Sequence, residues 1–167
     1  DSFGRETSSR NSEVIHGGFY YPTGSLKAQL CVDGNDRIYK YCAEKNVPHR
    51  MCGKLLVANT AQEEYKVHKL YELGKSNGCR GLKLLTAQEI HALEPHIRAR
   101  MAMYSPCSGI FDTHQFMKAL EQDSLEKGAT IAYNCELQSL NRSAGGFSAG
   151  IRDADGSLIE IESPVII

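Results

Sequence analysis

Residues 7–18 read TSSRNSEVIHGG, and this stretch decides how the rest of the chain is interpreted. It sets hydroxyl side chains, an Arg and an Asn before His16 and a glycine pair, with no regular apolar period running through it. Paired glycines let a backbone approach its neighbour closely, and hydroxyl, amide and guanidinium donors suit an anion such as phosphate. From the residues alone, two interpretations stay open: a plain polar loop, or an anion or cofactor site.

The bulk composition narrows the function classes. With 167 residues and 41% hydrophobic content, the chain can bury one core or part of a larger one. The 19 basic and 20 acidic residues nearly cancel and form no basic stripe, which argues against a nucleic-acid partner. No apolar run reaches about 18 residues and no leader is recognisable, so we expect no transmembrane segment and no secretory signal.

The six cysteines are widely spread, without a CxxC pair or a Cys/His cluster at zinc spacing. This pattern predicts reduced thiols in an intracellular compartment and no metal site. Three disulfides in a secreted chain are the alternative. The absence of an initiator Met, together with the β-branched run SPVII at the end, favours a piece of a longer protein whose last strand is buried.

The first two thirds of the chain alternate helix and strand signals. Ser25 is a candidate cap for a helix over 25–45, although Gly34 weakens it. A strand is expected within HRMCGKLLVA, residues 49–58. The tetrapeptide TAQE forms a capping box twice, opening a helix after Thr60 that stops at Asn77-Gly78 and, after the strand GLKLL, a shorter one after Thr86. A shared capping box explains both copies without an internal repeat.

The last third predicts a strand and a Pro/Gly turn over 97–111, then a helix capped by Asp112 or Thr113 that ends at Lys127-Gly128. Three strand-like runs follow: TIAYNCELQSL, GGFSAGIRD and SLIEIESPVII. Asp155-Gly156 is a strong hairpin signal between the second and the third. The expected fold class is therefore α/β, or mixed α+β, with an antiparallel meander at the end.

The chain contains none of the strong motifs GxGxxG, GxxxxGK[ST], GxSxG or HExxH. His16 differs from the other histidines because it stands between an apolar pair and two glycines. The others have polar neighbours in predicted helices and strands and are interpreted as surface or structural: His49, His68, His91, His96 and His114.

Three blocks carry a family resemblance: TSSRNSEVIHGGFYYPTGSLKAQLCVDGN, HRMCGKLLVA and SPCSGIFDTHQFMKAL. Together they resemble the L-2-hydroxyglutarate dehydrogenases and oxidases, FAD-dependent members of the D-amino-acid-oxidase superfamily. The resemblance runs in order over essentially the whole chain, and its first block is the most specific. Sister families share the TSS and HGG elements but not the full string.

The resemblance implies an internal fragment of an oxidoreductase with a Rossmann-like FAD domain and a mixed-sheet substrate domain. Residues 1–45 would belong to the FAD-binding domain and 46–111 to the substrate-binding domain, with 112–167 returning to the FAD domain. A strand, a GxGxxG turn and a helix would precede Asp1. The final PVII would be a strand running towards the FAD.

The resemblance also implies residue roles. His16 would be the base that removes the substrate's C2 hydroxyl proton. The residues that would line the FAD are Thr7, Ser8, Ser9, Arg10, Asn11, Ser12, Gly17, Gly18 and, through its backbone near the adenine, Leu137. The weaker candidates for the substrate pocket are Tyr20, Tyr21 and Lys54, with core packing as the alternative for both tyrosines.

The implied reaction is oxidation of L-2-hydroxyglutarate to 2-oxoglutarate by hydride transfer to FAD, with a quinone or oxygen as electron acceptor. One alternative is another enzyme of the superfamily, acting on glycerol 3-phosphate or an amino acid. The other is a truncated, catalytically inactive fragment, because the dinucleotide fingerprint is missing. The implied location is mitochondrial in a eukaryote, and cytoplasmic or peripheral to the inner membrane in a bacterium.

Overall fold

The computed structural model describes residues 2–167 and divides them into two compact units. One unit comprises residues 6–119, and the other combines residues 2–5 with 120–167. The mixed α/β class expected from the sequence is confirmed. No helix within residues 2–167 is long and apolar enough to cross a membrane. The domain boundaries expected at residues 45 and 111 stay a prediction.

Two three-stranded antiparallel sheets organise the first unit. One has the order β1-β6-β2, with β1 at Val14–Ile15, β6 at Gly109–Phe111 and β2 at His49–Arg50. The other has the order β3-β5-β4, with β3 at Lys54–Ala58, β5 at Met101–Ser105 and β4 at Lys83–Thr86. The HRMCGKLLVA segment therefore contributes to both sheets. It breaks at Gly53, whose φ of 76° is a conformation that favours glycine.

Local side-chain caps start all four α-helices found within residues 2–167. Ser25 caps α1 (Leu26–Glu44), and full capping boxes open α2 (Ala61–Ser76) and α3 (Ala87–Leu93). Asp112 accepts the backbone N–H of Gln115 at the start of α4 (Thr113–Glu126). The predicted caps at Ser25, Thr60 and Thr86 are confirmed, and of the two candidates for α4 the structure selects Asp112.

The core of the first unit lies where α2 and α3 cover the second sheet. One buried cluster contains Phe19, Ala58, Val67 and Met103, and a second contains Leu85, Ile90 and Ala102. Phe19 is 1% exposed, and burial of such a side chain stabilises the fold by about 1.5–3 kcal/mol. Since Phe19 directly follows the Gly17-Gly18 pair, it anchors that segment to the sheet.

The second unit contains an antiparallel meander, β7-β8-β9, as predicted. Its strands are β7 (Glu136–Ser143), β8 (Gly146–Arg152) and β9 (Leu158–Ser163), and Gly156, with a φ of 91°, closes the predicted hairpin at Asp153. Two predicted extensions are wrong. Asn134 has a φ of 58°, so β7 starts only after it, and β9 ends before Pro164, which has no N–H to donate.

Candidate functional site

The loop before β1 lines one open cavity of about 440 Å³. Thr7–Ser9 forms a short 3-10 helix that turns the chain, and β1 then leads to His16. Of the predicted site residues, the structure brings Thr7, Ser8, Asn11, Ser12 and His16 to this cavity, together with Val14, Phe111, Thr113, Phe116 and Met117. Ser9 and Arg10 do not line it, and Ser9 Oγ donates to the carbonyl of Glu6.

Asn11 and Glu13 fasten the loop to the start of α4. The Asn11 amide donates to Ser8 O and to Thr113 Oγ1, and its oxygen accepts from the Glu13 N–H. The Glu13 carboxylate in turn accepts from the N–H and the hydroxyl of Thr113, at 3.2 and 3.0 Å. Asn11 therefore shapes the loop, and Glu13 is a residue that sequence reasoning missed. Its positive φ of 54° was not visible in the sequence.

Several donors of the loop remain free. The hydroxyls of Thr7, Ser8 and Ser12 have no hydrogen-bond partner among the residues that the structure describes, and Arg10 is exposed and without an ion-pair partner in the same part of the chain. Unsatisfied hydroxyls and a guanidinium on one loop are suitable ligands for an anionic group. The loop can therefore hold a phosphate-bearing ligand.

Internal packing requires both glycines after His16. A Cβ on Gly17 would lie 2.9 Å from Ser105 Oγ, and one on Gly18 would lie 2.8 Å from Val32 Cγ2. Gly18 also has a φ of 90°, which L side chains rarely adopt. The main chain at Gly17 and Gly18 is thus pressed against the β5-β6 turn and α1. Their predicted contact with the flavin stays a prediction.

Two asparagines hold the carbonyl groups of this segment. The Asn35 amide donates to His16 O at 3.1 Å and to Cys107 O at 2.9 Å. The Asn77 amide donates to Gly18 O at 3.0 Å and to Tyr21 O at 2.8 Å. Both were missed in the sequence, where Asn77 was interpreted only as a helix stop. The available signal was Asn35, a poor helix former in the middle of α1.

His16 is exposed, and its pKa is lowered from its ordinary value of 6.5. The largest cause is desolvation by the surrounding protein, followed by the positive charges of Lys54 and Lys27. A lowered pKa keeps the imidazole neutral near pH 7, so a ring nitrogen can accept a proton. Exposure leaves the ring accessible to a substrate, while the two lysines make its surroundings positive.

The predicted substrate residues take part in two cation–π contacts. Lys54 Nζ is 5.1 Å from the centre of the Tyr20 ring, and Lys27 Nζ is 4.5 Å from the centre of the Tyr21 ring. The structure therefore pairs Tyr20 with Lys54 and Tyr21 with Lys27, and the charges of both lysines act on His16. Core packing does not account for Tyr20, which is 36% exposed.

Leu137 belongs to the other unit. It lies on β7 opposite Ile151 and is 59% exposed. Its predicted backbone contact with adenine stays a prediction.

Comparison with known proteins defines the class to which this loop and fold belong. The whole chain, residues 1–167, matches the family described as FAD dependent oxidoreductase, DAO. The chain belongs to this family, whose cofactor is FAD. The free donors of the 7–12 loop fit the diphosphate of such a cofactor.

Among curated relatives, the chain is 49% identical over 125 residues to the mitochondrial L-2-hydroxyglutarate dehydrogenase of Arabidopsis thaliana, covering 75% of this chain and 26% of the relative. It is 38% identical over 157 residues to the mitochondrial L-2-hydroxyglutarate dehydrogenase of Homo sapiens, covering 94% of this chain and 32% of the relative. The chain thus spans about a quarter to a third of the length of these two proteins. The predicted family resemblance is confirmed.

Two solved structures share the fold. Glycine oxidase from Geobacillus kaustophilus superposes with a TM-score of 0.77 at 18% identity, over 94% of this chain and 43% of its own. L-alpha-glycerophosphate oxidase from Mycoplasma pneumoniae, with FAD bound, gives a TM-score of 0.76 at 20% identity, over 87% of this chain and 39% of its own. At these identities the likeness concerns the fold alone.

Proposed function

We propose that the protein oxidises L-2-hydroxyglutarate to 2-oxoglutarate with FAD as cofactor. The observation that carries the proposal is the identity to relatives of that name, 49% for the plant protein and 38% for the human one. The chemistry of the site supports it, because a neutral histidine with two nearby lysines suits a substrate that combines a hydroxyl group with carboxylates.

His16 acts as the general base in this proposal. An unprotonated ring nitrogen accepts the proton of the C2 hydroxyl while the C2 hydrogen leaves with its electron pair, and the carbonyl of 2-oxoglutarate forms. When bound, FAD supplies the acceptor for that hydride. The Asn35 bond to His16 O and the Asn77 bond to Gly18 O fix the backbone on which the imidazole stands. Such positioning supports catalysis because the reacting atoms must be held in near-attack contact.

The loop over 7–12 holds the cofactor. Thr7, Ser8 and Ser12 donate their free hydroxyls, and Arg10 supplies a positive charge for the diphosphate. Asn11 maintains the shape of the loop through its bonds to Ser8 and Thr113. Ser9, Gly17, Gly18 and Leu137 contribute backbone contacts.

Tyr20, Tyr21 and Lys54 bind the substrate. We also propose that residues 1–45 belong to the FAD-binding domain, 46–111 to the substrate domain and 112–167 to the return into the FAD domain. The two curated relatives are named mitochondrial, which supports a mitochondrial location in a eukaryotic source. A quinone or oxygen then reoxidises the cofactor.

Reduction of the bound flavin by the substrate, measured on the complete FAD-loaded protein, tests this function. Under anaerobic conditions L-2-hydroxyglutarate should bleach the flavin absorbance, whereas D-2-hydroxyglutarate and glycerol 3-phosphate should not. Bleaching by glycerol 3-phosphate alone would assign the protein to another branch of the superfamily.

Substitution of the base tests the role of His16. His16→Ala should slow flavin reduction by about 100-fold or more, the contribution expected of a general base, while FAD content stays at the wild-type level. His68→Ala, an exposed histidine on α2, serves as the matched control and should leave the rate unchanged. An unchanged rate in His16→Ala removes this residue from the mechanism.

A further inference from the structure

Two lysines from separate elements lie over the rings of Tyr20 and Tyr21. Lys27 stands in the first turn of α1, and Lys54 is the first residue of β3. Each ammonium group sits over one ring of the Tyr20-Tyr21 pair, at 5.1 Å for Lys54 and 4.5 Å for Lys27. Since a lysine stem is otherwise highly flexible, these ring contacts place the two charges.

Neither charge is neutralised within the chain. Among residues 2–167, no carboxylate lies within ion-pair distance of Lys27 or Lys54, although Glu94 lines a cavity together with Lys54. Lys75, by contrast, pairs with Glu72 at 3.5 Å. Two uncompensated positive charges over the rings of consecutive residues favour the binding of an anion.

Helix stability does not explain Lys27. A cation in the first turn faces the positive end of the helix dipole, where an acidic residue is preferred. The first turn of α1 contains no acidic residue. A residue placed against a local rule in this way is typical of a functional site.

The charges of both ammonium groups also act on the proposed base. Their charges lower the pKa of the His16 imidazole, after the larger effect of desolvation. An anion held at these lysines therefore also changes the electrostatic surroundings of the ring that is to accept the proton.

We propose that Lys27 and Lys54 form a two-cation subsite that binds the two carboxylates of a dicarboxylate substrate, one carboxylate to each ammonium group. The proposal rests on the proposed function and deepens it, because it names the residues that select a dicarboxylate over a monocarboxylate. Tyr20 and Tyr21 keep the lysines in place. Each charge-assisted hydrogen bond adds affinity that a monocarboxylate can gain only once.

Binding of unreactive acids tests the subsite. Calorimetry on the FAD-loaded protein compares glutarate with pentanoate, which has the same carbon chain and one carboxylate. Wild type should bind glutarate at least about 10-fold more tightly, the value of one charged hydrogen bond. Lys27→Gln and Lys54→Gln should each weaken glutarate binding about 10-fold and reduce the preference over pentanoate. Lys27→Arg, which keeps the charge, should retain the preference.

Lys69→Gln is the matched control, because Lys69 Nζ lies 4.6 Å from the Tyr65 ring on α2 and makes the same kind of contact away from His16. It should leave both affinities unchanged. An unchanged glutarate affinity in Lys27→Gln, or equal losses for glutarate and pentanoate in both Gln variants, overturns the proposal.

An NMR titration of His16 gives a readout that does not depend on turnover. Removing a nearby positive charge stabilises the imidazolium, so the pKa of His16 should rise in Lys27→Gln and Lys54→Gln but not in Lys69→Gln. An unchanged pKa in the first two contradicts the placement of the lysines. The subsite and the reaction can fail separately. If the two Gln variants lose glutarate affinity but L-2-hydroxyglutarate does not reduce the flavin of the wild type, only the proposed reaction is refuted. If L-2-hydroxyglutarate reduces the flavin but the two Gln variants keep their glutarate affinity, only the subsite is refuted.

Discussion

Replacement of Asn35 by Ala should destabilise the protein at the segment that contains His16. Asn35 is 5% exposed, and its amide donates to His16 O and Cys107 O. The Tyr39 hydroxyl also donates to Cys107 O, at 3.2 Å. Burial, with smaller contributions from neighbouring thiols, raises the pKa of Tyr39 to about 12, so this donor stays protonated. In the variant Cys107 O therefore keeps a partner, and His16 O loses its donor.

The magnitude follows from these contacts. An unsatisfied buried carbonyl costs about 1–3 kcal/mol, and the second lost bond about 0.5–1.5 kcal/mol. The better helix propensity of Ala returns about 0.6 kcal/mol within α1. We therefore expect the free energy of unfolding to fall by about 1–4 kcal/mol.

Urea unfolding followed by circular dichroism measures this loss. Lys40→Ala, on the exposed side of the same helix, is the control and should change the free energy of unfolding by less than about 0.5 kcal/mol. Tyr39→Phe alone should lower the free energy of unfolding only slightly, because Asn35 still donates a hydrogen bond to Cys107 O. Combined with Asn35→Ala it should cost about 0.5–1 kcal/mol more than the sum of the two. Two results would refute this account of the Asn35 hydrogen bonds. One is a loss of unfolding free energy in Asn35→Ala no larger than that in Lys40→Ala. The other is strict additivity of the Asn35→Ala and Tyr39→Phe effects.

Three further predictions concern backbone space and titration. Gly109→Ala should lower the free energy of unfolding by about 1–3 kcal/mol, since its Cβ would collide with neighbouring backbone. Gly34→Ala has open space around it in a helix and should raise the free energy of unfolding by about 0.5–1 kcal/mol. Urea unfolding of both variants measures the two changes. Backbone N–H donors at the capping boxes hold the pKa of Glu63 and Glu89 below 4.5. The stabilisation from each carboxylate is therefore present above pH 4.5 and is lost as the pH falls through its lowered pKa. In Glu63→Gln and Glu89→Gln, the free energy of unfolding measured over a pH series should fall less steeply on the acid side. Stopped-flow flavin reduction should decline on acidification with a midpoint below 6.5, because His16 works unprotonated and its pKa is lowered, and a midpoint above 6.5 would assign the base elsewhere.

The parts of the fold that the sequence predicted are those decided by near neighbours. Ser25, Thr60 and Thr86 cap helices through contacts three residues away, so a short window contains the whole interaction. The positive φ of Asn134 delays the start of a predicted strand, because strand propensity alone does not report a single residue's backbone angle.

The candidate site divides in the same way. His16 was distinguished by its chemical neighbours in sequence, but FAD was named only through family resemblance. Asn35 and Asn77 act on carbonyls 19 and 59 residues away, a relation that only the folded chain creates. From the sequence, Lys27 is an ordinary surface residue of a helix; in the structure it lies over the Tyr21 ring and its charge acts on His16.

The side chain of Asn77 bears on how the protein ages. An Asn-Gly pair is prone to deamidation, which starts when the glycine nitrogen attacks the asparagine side chain. Here the Asn77 amide is held by Gly18 O and Tyr21 O, and the Gly78 N–H donates to Lys75 O. Asn77 also keeps a ψ of −6°, close to helical, which directs the attacking nitrogen away from the amide carbon. Deamidation would turn a double donor into a carboxylate facing two carbonyls. These hydrogen bonds therefore protect Asn77 from the deamidation that would destroy them. Deamidation begins only after the segment around Asn77 and Gly78 opens.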